Sequence, residues 1–482
     1  MKKIPTYIKG LDEVLLGGIP EGGMILLEGA AGTGKTVFGI EFLRRGIENG
    51  EPGVFVACEE SPGDLIKNAK SFCDMEDLIK KDKLRIVDVS RRWITDIADK
   101  TTEFGLETVI KDIKKAVEEI GAKRVVIDPG AILLLQFEHL KLDIAVRRGL
   151  HRIRDAVKRM GCISIFTTER SKEQGIWSGK YMANFVLDGV ISLDTKLGQN
   201  QINRTLIVEK MRGADYRSGQ VEFEITNDGM IIYPKIPVDR SVAKIDLKVR
   251  GKIGVAGLDD ALGGGIPQGH MMLIGGNTGT GKTTLGMHFL IEGFEHDENG
   301  LWVALEEPIE QVNEIALEHG WDFEKYEKQG RLKIINTPLI DISPDKLLYQ
   351  ILDAVNETGA KRVVVDSIST LESASMDKNK VRELWIQLST LFKTLGITCL
   401  ANYLTTGSFG AEKEQLLASL DTNELRLSSI IDGIIILRYV EREQTVMKLL
   451  NILKLRGSEH KKDIFWYEID KEGFKLGEKF ML

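Results

Sequence analysis

A chain of 482 residues, 43% hydrophobic and 28% charged, is long enough for two or more domains that each bury a core, and its composition is that of a soluble globular protein. A formal net charge of -7 gives no electrostatic footprint for general nucleic-acid binding, so nucleic acid is not an expected partner. The 4 cysteines, Cys58, Cys73, Cys162 and Cys399, show no CxxC or Cys/His spacing, which excludes a disulfide framework or a zinc motif and implies reduced thiols in a cytoplasmic protein. From the N-terminus, "MKKIPTYIKG" is basic but is followed by no apolar signal-peptide core. The longest apolar run, "IIDGIIILRYV" at 430–440, is interrupted by Asp432 and is too short to span a bilayer, so no membrane association is expected.

Next along the chain come short β-branched runs, "MILLEG", "VFVAC", "RVVID", "CISIFTT", "GVISL" and "TLIVEKM", separated by helical patterns. In "LETVIKDIKKAVEEIG" (106–121), Val109, Ile113, Val117 and Ile120 recur at three or four residues and predict a helix with one apolar stripe. The whole arrangement then repeats. "LDEVLLGGIPEGGMILLEGAAGTGKT" (11–36) returns as "LDDALGGGIPQGHMMLIGGNTGTGKT" (258–283), and "EPGVFVACEE" (51–60) returns as "NGLWVALEE" (299–307). "GAKRVVID" (121–128) returns as "GAKRVVVD" (359–366), and "VEKMRG" (208–213) as "ILKLRG" (452–457). Four blocks in one order mean two copies of one domain, spanning 1–236 and 251–482. The stretch 233–252 between them carries two prolines and no clear period, and its centre, 237–250, reads as the linker. Alternation of apolar strands with helices implies, in each copy, a mainly parallel sheet flanked by helices, with ligands bound at the carboxyl ends of the strands.

The chemistry gathers at those ends. "GAAGTGKT" (29–36) and "GNTGTGKT" (276–283) follow a strand and open a helix, the context a phosphate loop requires. Gly29, Gly32, Thr33 and Gly34, and in the second copy Gly276, Gly279, Thr280 and Gly281, supply converging backbone N–H groups at a helix N-terminus. Lys35 and Lys282 would reach the β- and γ-phosphates of ATP, while Thr36 and Thr283 would hold Mg²⁺. Asp128 and Asp366 end their strands where a carboxylate would support that metal. The pairs Glu59-Glu60 and Glu306-Glu307 close the strand after the phosphate-loop helix, and one carboxylate of each pair would activate the attacking water or hydroxyl. Lys210 and Arg212, like Lys454 and Arg456, sit two apart on one side of a strand, as a cationic finger for a neighbouring subunit's nucleotide.

Together these residues resemble the KaiC family, double-domain members of the RecA-like P-loop NTPases. The likeness covers nearly the whole chain and rests on wording more specific than a phosphate loop: "EPGVFVACEESPGDLIKNAKSF" (51–72), "TTER" (167–170), and "KMRG" and "KLRG", the latter followed by His460. The resemblance implies two tandem RecA-like domains, two stacked rings in a homohexamer, and ATP at each subunit interface. It further implies that the first glutamate of each pair, Glu59 or Glu306, is catalytic, with Glu306 also approaching Mg²⁺. The trans contacts of the family map onto Lys210, Met211 and Arg212 and onto Lys454, Leu455 and Arg456. Ser71 and His319 fall where the family lines the nucleotide, His319 standing in for an aromatic residue. The family's phosphorylation segment corresponds to "NELRLSSIIDGIIILRYV" (423–440), with Ser428 and Ser429 as acceptor candidates, and the first copy has no serine or threonine in the seven residues before Asp188. The expectation is thus a hexameric ATPase whose second half phosphorylates its own serine.

Two departures temper what carries over. Asn423 stands where the clock proteins have a further threonine, and the sequence given stops at "GEKFML", soon after its last strand, so a KaiA-type activator is not an expected partner. An unidentified regulatory protein partner is. The competing readings are a DNA-acting RecA-like recombinase or helicase and a nucleotide-gated scaffold that exchanges partners; fold alone does not choose between them.

Overall fold

The computed structural model describes residues 2–90, 104–135, 143–170, 186–197, 202–235, 246–337, 343–374, 378–405, 430–442 and 445–480. The chain divides into two compact units, Met1–Lys235 and Ile236–Leu482.

In the first unit, the two-residue strands β1 (Lys3–Ile4) and β2 (Ile19–Pro20) pair with each other. The remaining strands are β3 (Met24–Gly29), β4 (Gly53–Ala57), β5 (Leu84–Asp88), β6 (Arg124–Asp128), β7 (Ile163–Glu169), β8 (Gly189–Leu197), β9 (Ile202–Met211), β10 (Gln220–Thr226) and β11 (Gly229–Tyr233). They form one nine-stranded sheet in the order β11-β10-β9-β8-β3-β7-β6-β4-β5. From β8 to β5 every pairing is parallel, and β8 through β11 continue antiparallel. β3 is buried throughout, with Ile25 and Leu27 in the core on one face and Met24 and Leu26 in the core on the other. That is why it reads as a continuous apolar run rather than an alternating one. Helices Lys35–Glu48, Pro62–Ala69 and Met75–Lys80 supply residues to the first face, and Phe104–Ile120 and Asp143–Arg159 to the second.

The second unit repeats this plan. β12 (Arg250–Gly251) and β13 (Ile266–Pro267) pair, and a nine-stranded sheet is built from β14 (Met271–Gly276), β15 (Gly300–Ala304), β16 (Leu332–Asn336), β17 (Arg362–Asp366), β18 (Thr398–Leu404), β19 (Gly433–Arg442), β20 (Thr445–Leu455), β21 (Ile464–Asp470) and β22 (Gly473–Lys479). Its order is β16-β15-β17-β18-β14-β19-β20-β21-β22, the same path as in the first unit. In both units the predicted mainly parallel sheet flanked by helices is present. The strands β5, β10 and β11 do not stand out in the sequence: "QVEFEIT" of β10 mixes buried, part-buried and exposed positions, and the five-residue "GMIIY" of β11, although mostly buried at the edge of the sheet, is short.

The phosphate-loop helices lie unusually close to the sheet because small residues face it. A Cβ on Gly39 would stand 2.8 Å from Val126, and one on Gly286 would stand 2.9 Å from Val364. A Cβ on Gly46 or Gly293 would strike the guanidinium side of Arg124 or Arg362, at 2.2 Å and 2.4 Å. Glycine at these helical positions costs about 1 kcal/mol of propensity each, offset here by the close packing it allows against the central strands.

Candidate active site

Each phosphate loop leaves the central strand of its sheet, β3 or β14, at the carboxyl end and runs into a 14-residue helix, Lys35–Glu48 or Lys282–Glu295. The residue before each helix is in the left-handed region, Gly34 at φ 100° and Gly281 at φ 92°. Only glycine suits both demands there, since a Cβ would also come within 2.7 Å of Ile225 or 2.1 Å of Ile469. Thr33 donates to the Ala30 carbonyl at 2.9 Å and Thr280 to the Asn277 carbonyl at 2.7 Å, tying each loop into a ring. Tyr467 adds a brace in the second unit, donating its hydroxyl to the Thr280 carbonyl at 2.6 Å.

Lys35 Nζ donates to the carbonyls of Gly29 and Ala30, both at 2.9 Å, and Lys282 Nζ donates likewise to Gly276 and Asn277 at 2.9 Å. The ammonium is thus folded across the loop it belongs to. Burial pushes both amines below the ordinary lysine range. The opposing charges differ between the units: Glu169 and Asp128 around Lys35, Asp366 and Glu306 around Lys282.

Beside the loop, Thr36 Oγ1 donates to Asp128 Oδ2 at 2.6 Å and Thr283 Oγ1 to Asp366 Oδ2 at 2.7 Å. The other oxygen of Asp128 accepts from Thr167, and the same strand position in the second unit carries Asn402, whose amide stands against Asp366. Burial pushes the Asp366 carboxyl above the ordinary range, with the neighbouring Asn402 amide and the Thr283 hydrogen bond opposing it. Thr167 belongs to the "TTER" block, so its repeat-specific setting was visible in the sequence although its role was not.

The two carboxylate pairs require a correction. They do not close their strands: β4 ends at Ala57 and β15 at Ala304, and the pairs lie in the bend that follows. Strand alternation therefore does not decide which member faces the site. The backbone ladder continues one residue further, with Cys58 N–H donating to the Asp128 carbonyl at 2.9 Å and Leu305 N–H to the Asp366 carbonyl at 2.7 Å. Beyond it Glu59, Glu60 and Glu306 are exposed, and Glu307 is half-buried. Burial, with the charges of Asp366 and Glu306 close by, pushes the Glu307 carboxyl up. Glu306 Oε2 accepts from Ser367 Oγ at 2.9 Å.

The Lys-x-Arg pairs also differ in detail from expectation. Lys210 is in β9 and Lys454 in β20, but Arg212 and Arg456 lie just past Met211 and Leu455, the last residues of those strands, and a register shift interrupts each ladder nearby. Lys210 Nζ donates to the Leu187 carbonyl at 2.9 Å and Lys454 Nζ to the Ile431 carbonyl at 2.6 Å. Arg456 Nη1 stands 3.8 Å from Asp432, which also pairs with Lys393 at 2.7 Å. Register fixes their level on the sheet. Met211 is opposite Gly189, which is opposite Ile25 at the start of β3, and Leu455 is opposite Gly433, which is opposite Met272. Each triplet is therefore about four residues, or ~13 Å of strand, from the end of the sheet where its own phosphate loop begins.

Ser71 is exposed in the turn after the helix Pro62–Ala69. His319 follows the helix Ile309–Glu318, its ring 4.9 Å from the ring of Trp321, which in turn lies 4.6 Å from His288. His288 Nε2 accepts the Phe474 N–H at 2.7 Å, and burial pushes this imidazole down to about 4. The acceptor candidates Ser428 and Ser429 lie outside the described residues. Among the described residues no cluster of three or more His, Cys, Asp or Glu suits a metal, and no helix is long and apolar enough to cross a membrane.

Two similar sites on two similar sheets agree with the comparisons to known proteins. The family model described as "ATPase: KaiC" matches residues 4–236 and again 251–480. A protein described as "Circadian clock oscillator protein KaiC" from Prochlorococcus marinus subsp. pastoris is 34% identical over all 482 residues, which span 92% of that relative. Proteins of the same description from Thermostichus vulcanus and from Nostoc sp. are each 34% identical, with 100% of this chain and 90% of the relative covered. With both phosphate loops, both Thr–Asp pairs and both Lys-x-Arg triplets inside the matched spans, this chain belongs to the KaiC family of ATPases.

Proposed function

We propose that this protein binds and hydrolyses ATP in both halves as a homohexamer, with each nucleotide held between neighbouring subunits, and that its second half also transfers phosphoryl to Ser428 or Ser429. One observation carries the shared-site part of this reading. Within each half, the cationic triplet and the phosphate loop occupy opposite ends of the sheet, which supports a reading in which the triplet serves the γ-phosphate of another copy rather than its own.

The residues present fit a magnesium nucleotide. Glycine-lined N–H groups at a helix N-terminus suit the phosphates, and Lys35 or Lys282 needs only to leave two carbonyls to reach them. Thr36 with Asp128, or Thr283 with Asp366, would hold Mg²⁺, which takes most of its ligands from phosphates and water. The metal supplies charge neutralisation at the phosphates. Glu59 and Glu306, the first of each pair, accept the proton of the attacking group: water in the first half, water or a serine hydroxyl in the second. As the acceptor oxygen bonds to the γ-phosphorus, the bond to the β–γ bridging oxygen breaks and ADP leaves. Lys210 and Arg212, and Lys454 and Arg456, stabilise the charge of the neighbour's γ-phosphate, with Met211 and Leu455 against its nucleotide. Ser71 and His319 line the base or ribose.

A test incubates the protein with ATP and Mg²⁺. We expect ATP-dependent hexamers, ADP release suppressed in Glu59→Gln, Glu306→Gln, and phosphate at Ser428 or Ser429 by intact-mass and peptide mass spectrometry. Full turnover in that double variant removes the catalytic assignment. Hydrolysis without phosphate on either serine leaves an ATPase and no kinase.

A further inference from the structure

The two halves differ sharply beside the proposed base. In the second half, the residue after Asp366 is Ser367, only 1% exposed, and its Oγ lies 2.9 Å from Glu306 Oε2, 2.9 Å from Ser369 Oγ and 3.0 Å from Thr370 Oγ1. Ser369 Oγ in turn accepts the Leu404 N–H at 3.1 Å. Hydrogen-bond counting gives this chain a direction. A carboxylate oxygen only accepts, so the single Ser367 proton goes to Glu306. Ser369, already accepting from the backbone, spends its proton on Ser367. The line runs from Leu404 N–H through Ser369 and Ser367 to Glu306, and Leu404 is the last residue of β18, paired with Gly276 at the root of the phosphate loop. The corresponding residues of the first half are Pro129, Ala131 and Ile132, none of which has a hydroxyl.

We infer that Ser367, backed by Ser369, is a positioning residue that clamps one oxygen of Glu306 to the sheet, leaving the other to face the attacking group, and that the second half alone has this clamp. The inference rests on the reading of Glu306 as the proton acceptor. An exposed glutamate beyond a strand end has several rotamers of similar energy. A directed donor on a buried serine selects one. Glu59 has no such donor at these positions, so the first half relies on something other than this clamp to orient its base. The difference suits different acceptors: a fixed base for a side-chain hydroxyl that arrives along one line, a freer one for water.

The experiment uses the full chain carrying Glu59→Gln, so that ATP consumed reports the second half. Ser367→Ala lowers kcat about ten- to a hundredfold, the range expected when a reacting group is misplaced, while KM for ATP stays within about twofold because no phosphate contact is removed. Ser367→Thr, which keeps the hydroxyl, retains most of kcat. Ser369→Ala, one step back in the line, gives an intermediate loss and serves where Ser367→Ala does not fold. In a Glu306→Gln background, Ser367→Ala causes no further loss, since there is no carboxylate left to position. Unchanged kcat in Ser367→Ala, or an equal loss with and without Glu306, overturns the clamp. If Glu306→Gln itself leaves second-half ATP consumption intact, the proton-acceptor reading fails first and the clamp falls with it.

Discussion

Replacing Arg124 by methionine tests what holds the first half together around its site. Arg124 is fully buried, and its guanidinium is spent on four groups. It pairs with Glu51 at 2.6 Å and donates to the carbonyls of Pro5 at 2.7 Å, Thr6 at 3.0 Å and Phe42 at 2.9 Å, while lying 4.6 Å from the Phe42 ring centre. It therefore bolts the N-terminal segment and the phosphate-loop helix onto β6. Methionine preserves much of the volume but leaves a carboxylate and three carbonyls without this donor. Breaking a buried pair from one side costs ~3–5 kcal/mol. Glu51 is still 24% exposed and recovers some hydration, so the lower end, about 3 kcal/mol, is the expected loss. For a domain of this size that is a fall of ~6–12 °C in the unfolding temperature of the first half. Calorimetry on the full chain should show one transition moved and the other in place, and hydrogen exchange should speed up in residues 2–9. Arg362→Met, whose guanidinium meets Glu298 at 2.5 Å and the carbonyls of Lys252 at 2.6 Å and Phe289 at 2.7 Å, should move the other transition instead. A shift below about 1 °C with unchanged exchange would refute the reasoning, because it would mean those carbonyls were solvated all along.

Three further outcomes follow from the site. Acidification should weaken the second half through His288: the unfolded chain takes up a proton near pH 6.5, the folded ring only at about 4, so stability is full above that window and is lost as pH falls through it. Between pH 6.5 and 5 this amounts to ~2 kcal/mol, discounted to about 1 kcal/mol for a ring that is only half-buried; an unaltered pH slope in denaturant titrations of His288→Gln counts against it. Gly281→Ala combines a left-handed backbone, φ 92°, with a Cβ 2.1 Å from Ile469, and should weaken ATP binding in the second half at least tenfold, by roughly 1–3 kcal/mol of strain; equal affinity in fluorescent-nucleotide titrations would show that the loop relaxes freely. Mixed rings of inactive Arg212→Ala and inactive Glu59→Gln subunits should regain part of the first-half turnover at interfaces that combine an intact arginine with an intact glutamate; no recovery in verified mixed rings would remove the shared site.

Much of this protein is legible without coordinates, for a physical reason. Phosphate loops are local: glycines, a lysine and a threonine at fixed spacing meet their ligand through a few contiguous backbone groups, so "GAAGTGKT" and "GNTGTGKT" declare themselves, and the repeated blocks around them declare two domains. Buried parallel strands are continuous apolar runs, so "MILLEG" and "RVVID" are strands to the residue. What tertiary structure alone decided is where residues remote in sequence meet. Spacing put Lys210 and Arg212 on one strand face; register put them at the other end of the sheet from their own loop, with Arg212 past the strand. Adjacency suggested that Glu59 and Glu60 alternate; the early end of β4 put them in a bend. The Thr36–Asp128 bond spans 92 residues, and the Ser367–Glu306 bond spans 61. Such pairings carry no local period, because side-chain hydrogen bonds across a sheet are set by strand order and register, and these exist only once the chain has folded.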